Sequence, residues 1–128
     1  MSMKVSIVGG KRLNRAIARR VVDWCAEKFD LTEEALDLQI HVNIRKLNID
    51  SGYCEEEYLY KVQNGISTAR YILTIADNQT IRDFVMTVVH ELIHVRQYIE
   101  GVWVGDGESE AWGLQEQFTD QIWRENII

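Results

Sequence analysis

The stretch TIRDFVMTVVHELIHVRQYIEG, residues Thr80–Gly101, decides how the rest of the chain must be arranged. Thr80-Ile81-Arg82-Asp83 resembles a capping-box start, and Gly101 is a natural stop, so the spacing predicts one long helix from Ile81 to Glu100. Within it lies His90-Glu91-Leu92-Ile93-His94, the pattern HExxH. Histidines at i and i+4 sit about 40° apart around a helix, on one face, where two imidazoles can grip one Zn²⁺. Glu91, about 100° from His90, reaches a water beside that metal. Zinc lowers the pKa of such a water toward 7, and a carboxylate is the base that takes its proton. Five residues thus supply two ligands and a general base.

Working outward, Asn64-Gly65 upstream is a strong hairpin signal, joining a strand at Tyr53–Val62 to one at Ile66–Ile75. Ala69, Tyr71, Leu73 and Ile75 fall on one face of the second strand. Leu36, Leu38, Ile40, Val42 and Ile44 alternate with Asp37, Gln39, His41, Asn43 and Arg45, a strand with one buried face. Thr32, Glu34 and Ala35 allow an extra helical turn before it. Lys4–Val8 is a short strand closed by Gly9-Gly10. Leu13, Ile17, Arg20, Val21, Trp24 and Phe29 recur at helical spacing, which predicts an amphipathic helix over Asn14–Phe29. Downstream, the glycine-bearing segment Val102–Gly107 leads to a last helix, Glu108–Glu125, with Ala111, Leu114, Phe118 and Ile122 on one face. The order strand, helix, three strands, helix, helix implies an α+β domain: a small mixed sheet of three or four strands packed on the N-terminal helix and the HExxH helix.

At 128 residues the chain is one domain, 1–128, with 46% hydrophobic and 27% charged residues, a globular balance. The net charge of -6 speaks against sequence-independent nucleic-acid binding, which relies on Lys and Arg at phosphates. No apolar run approaches the roughly 20 residues that span a membrane, and the N-terminus lacks the pattern of a signal peptide. Cys25 and Cys54 form neither a disulfide framework nor a CxxC zinc site, so a reducing cytoplasmic compartment is expected.

Three histidines and twelve glutamates would produce HExxH in about one of 200 shuffled chains. Two histidines and a water leave one protein ligand to find. His41, on the polar side of its strand, reads as a surface residue. Glu100 matches one known third-ligand spacing, but that arrangement bends at a glycine where this chain has Gln97. The helix therefore continues and turns Glu100 away. Glu108 and Glu110 remain, about 200° apart on the last helix, so only one can face the metal. Their angles to the apolar stripe do not choose between them.

HExxH followed on the next helix by Glu110-Ala111 resembles the gluzincin zinc peptidases of the zincin group, typified by thermolysin. His94-Val95-Arg96-Gln97 and Glu108-Ser109-Glu110-Ala111 are similar to HExxHxxQ and ExEA of small phage and bacterial zincin-like proteins. The resemblance covers roughly Ile66–Phe118. It implies a zincin-like fold, Zn²⁺ held by His90, His94 and Glu110, Glu91 as catalytic base, and a peptide or protein substrate added as a strand along the Tyr53–Val62 edge. The chain departs from that pattern at Leu114, where gluzincins often carry an acid that supports a histidine. Glu108, Gln115 or a backbone carbonyl has to take that place. No histidine follows His94, which leaves Tyr98 as the candidate to stabilise an oxyanion. Gln97, on the metal-facing side, is suited to bond the loop or a ligand, or simply to pack.

These readings converge on a zinc peptidase without nucleic-acid or membrane partners. The alternative is a zincin-fold binding or regulatory module with weak or no catalysis. Glu91 favours the enzyme, since a purely structural site needs no base.

Overall fold

A computed structural model describes residues 2–31, 36–59, 67–101 and 105–128. Residue alternation produces four strands: β1 (Ser2–Gly9), β2 (Leu36–Arg45), β3 (Gly52–Leu59) and β4 (Ser67–Ala76). They form one mixed sheet in the order β1-β2-β4-β3. β1, β2 and β4 are parallel, and β3 pairs antiparallel with β4. Parallel neighbours need a crossover. Helix α1 (Arg12–Lys28) supplies the one between β1 and β2. β3 takes the outer edge before the chain returns as β4.

The register aligns Leu38 with Ala69, Ile40 with Tyr71, Val42 with Leu73 and Ile44 with Ile75. All eight are buried, so the period-two pattern marks the face the helices cover. The other face carries half-buried Gln39, His41 and Asn43, and His41 Nδ1 pairs with Ser6 Oγ at 2.7 Å. Helix α1 buries Ile17, Ala18, Val21, Val22, Cys25 and Ala26. The expected stripe is thereby corrected at its start. Leu13 is exposed, as is Arg20, because the covered face passes through the small residues Ala18, Val22 and Ala26.

Helix α2 (Ile81–Glu100) begins as its cap predicts, Thr80 Oγ1 accepting the Asp83 N–H at 3.1 Å. It ends at Gly101 in the left-handed conformation, φ 70°. Between those caps it packs on β3, β4 and α1. Helix α3 (Glu108–Arg124) folds back along α2, and Phe118 meets Phe29 edge-on, ring centroids 5.4 Å apart. The hairpin residues Tyr60–Ile66, with Asn64-Gly65, and the turn expected at 32–35 lie outside the described residues. Among the described residues no helix is long and apolar enough to cross a membrane.

Candidate metal centre

Two turns of α2 place His90, Glu91 and His94 at the floor of a cleft of about 640 Å³. One wall comes from β3 and the turn before it, through Asp50–Cys54. The other comes from α3, through Glu108, Trp112 and Gln115. The three motif residues are 8%, 4% and 8% exposed. One ligand atom from each lies within 4.8 Å of the others.

His90 Nδ1 is 2.7 Å from Gln115 Oε1, and His94 Nδ1 is 2.8 Å from Gln97 Oε1. An amide oxygen only accepts, so each Nδ1 carries a proton, and in the neutral ring each Nε2 then presents its lone pair. Those two Nε2 atoms face each other at 3.2 Å. The Glu108 carboxylate closes the group, Oε1 at 2.7 Å from His94 Nε2 and Oε2 at 3.2 Å from His90 Nε2. With both rings neutral, two lone pairs and a carboxylate converge with no hydrogen of their own to share. Such a set of two imidazole nitrogens and a carboxylate oxygen is what a transition metal ion fits.

The acid against the histidines is thus Glu108, not the expected Glu110. Glu110, on the far side of the first turn of α3, accepts from Gln97 Nε2 at 2.9 Å. The reason lies in how α3 begins. Gly107 has φ 81°, Asp106 Oδ1 accepts the Glu108 N–H at 3.0 Å, and Glu108 is the first helical residue, over the histidines. Trp112 and Gln115 follow it at i+4 and i+7, the spacing of one helix face. That periodicity groups the three on one face in the sequence, but does not by itself say that this face meets the histidines. Trp112 was missed: its ring packs edge-on to His90 at 5.1 Å yet is 63% exposed at the cleft rim. Glu100 points away and pairs with Arg96 at 3.1 Å.

Burial raises the Glu91 carboxyl to about 7; Glu108 adds to the rise and His94 opposes it. Cys54 on β3 lines the same cleft, and burial together with Glu91, Glu55 and Glu56 keeps its thiol protonated. Both cysteines are free. Tyr98 lines the cleft one turn beyond His94, 37% exposed and stacked on Tyr71 at 5.8 Å. Burial and nearby acids raise its phenol, which stays a donor at neutral pH. On the β3 edge, Glu56 accepts from the Tyr71 hydroxyl at 3.1 Å and Glu57 pairs with Arg70. The edge acids therefore serve local pairing and keep the strand charged.

No protein-family model, characterised protein or solved structure matches the chain.

Proposed function

We propose that this chain is a zinc-dependent peptidase of the zincin type, with a centre formed by His90, His94 and Glu108 and with Glu91 as general base. The observation that carries the reading is the convergence of two Nε2 lone pairs and a carboxylate beside a buried glutamate at the floor of an open cleft. The arrangement of an HExxH helix close to an antiparallel edge strand supports it. When bound, zinc supplies a Lewis acid and brings the pKa of a water molecule toward neutrality. Glu91, buried beside the two histidines, takes up a proton at the start of hydrolysis and returns it to the leaving amine nitrogen. Tyr98 offers a neutral O–H to the oxygen that gains charge at the scissile carbonyl. β3, the edge strand of the sheet among the described residues, offers its outer side to an extended peptide.

The decisive comparison is wild type against Glu91→Gln, both zinc-loaded, on a broad peptide library near pH 7 with a chelator control. Zinc content should be equal, and cleavage should fall by a factor on the order of 10²–10⁴. Equal cleavage by both forms would remove the assignment of Glu91. Full zinc with no cleavage by wild type would instead make the chain a zinc-containing binding module.

A further inference from the structure

Gln97 is 3% exposed and its amide makes hydrogen bonds in three directions. Its Oε1 accepts from His94 Nδ1 at 2.8 Å. Its Nε2 donates to the Gly107 carbonyl at 3.0 Å and to Glu110 Oε1 at 2.9 Å. The amide cannot be reversed, because its oxygen would then face two acceptors. Its orientation in turn forces the proton onto His94 Nδ1 and the lone pair onto Nε2. Gly107 and Glu110 flank Glu108 in the chain. One amide therefore orients a histidine on α2 and also holds the backbone on one side of Glu108 and a side chain on the other. The space for it exists only because residue 107 is glycine: an added Cβ would stand 2.3 Å from Gln97 Oε1, on a backbone of φ +81°.

We propose that Gln97, clamped by Glu110 and Gly107, is the positioning residue of this centre. It fixes Nε2 as the ligand atom of His94 and sets Glu108, rather than Glu110, in the third place. The inference rests on the metal-centre reading above. It assigns Glu110 a role distinct from ligation: the anion that stops the amide from turning.

The test uses the full chain with Zn²⁺ and a competing chromophoric chelator, and the metal-free chain by ¹⁵N-histidine NMR. Gln97→Met should weaken zinc roughly 10–100-fold, the usual cost of losing a ligand's outer partner. Glu110→Ala, at an exposed site where folding is safe, should weaken it by roughly tenfold or less. Gln97→Glu loses the donor and faces Glu110 with a like charge. The double variant Gln97→Glu/Glu110→Gln reverses donor and acceptor between the two side chains, still leaves the Gly107 carbonyl without its donor, and should recover part of that loss, which a mere packing role would not produce. Without metal, His94 should be the Nδ1–H tautomer in wild type and lose that preference in Gln97→Met, with His41 unchanged. Equal zinc affinity across these variants, with an unaltered His94 tautomer, overturns the positioning role and leaves the metal centre standing. A wild-type chain that binds no zinc overturns the centre and the inference together.

Discussion

Glu91 carries the strongest conflict between burial and charge. Its carboxyl ordinarily ionises near 4.5 and is raised to about 7 in the folded chain, so between those values the native state holds the extra proton. Native stability contributed by this group is therefore full below about pH 4.5 and falls as pH rises toward 7. The span corresponds to ~3 kcal/mol. Metal-free Glu91→Gln should match wild type near pH 4 and exceed it by up to ~3 kcal/mol near pH 8, measured by urea unfolding in the presence of a chelator. A difference that does not change with pH would refute the buried-charge account. Tyr98 gives a second check at this scale. In the proposed peptidase, Tyr98→Phe keeps the ring stacked on Tyr71 and removes only the donor, so kcat should fall by a factor on the order of 10²–10³ with little change in KM. The motif residues and their chemistry were legible because five consecutive positions carry them. The partner of each Nδ1 was only partly so. Gln97 and Gln115 both stood among the possibilities, but which amide meets which ring depends on how α3 lies on α2.

The two helices that build the centre are held by their ends. Thr80 caps α2 through Asp83 N–H, and Thr80→Ala should cost about 1 kcal/mol with no effect on zinc affinity. Gly107 and Gly105 allow a sharper comparison at the start of α3. Both have positive φ, 81° and 62°, but only Gly107 would press a Cβ onto Gln97; nothing lies within 4 Å of one on Gly105. Gly105→Ala should show the backbone cost alone, about 1 kcal/mol. Gly107→Ala should cost more than that and also lower zinc affinity, as read by thermal melts and chelator competition. Equal behaviour of the two would mean that the Gln97 contact contributes nothing. Periodicity, with the caps of α2, predicted the seven elements near their bounds among the described residues, because strands and helices with one covered face must repeat at 2 and 3.6 residues. The α1 stripe was less accurate: small residues such as Ala18 and Ala26 belong to the covered face as fully as large ones, and a pattern weighted to large side chains overlooks them.

At the scale of the molecule, the proposed centre draws its ligands from α2 and α3 across the cleft, so a bound metal would be linked to the fold. Zinc at about 100 times its Kd should add ~2.7 kcal/mol, roughly 10 °C in melting temperature for a domain of this size, reversed by a chelator. His94→Ala should abolish the shift, and Glu108→Ala should reduce it far more than Glu110→Ala. A larger loss from Glu110→Ala would return the third place to that residue. By itself, the sequence determined the α+β class, the pairing of the two strands before the HExxH helix, and the two histidines with their glutamate. These are local facts, set by side-chain alternation and by positions within one helix. Tertiary structure alone decided which of two acids on α3 meets the histidines. Glu108 and Glu110 are equally placed by local geometry. The choice comes from the left-handed start at Gly107, from the amide of Gln97 that engages Glu110, and from Phe118 docking α3 against Phe29 and Trp24. Each is a contact between residues distant in the chain, and no period within a single element encodes which face of one helix another will see.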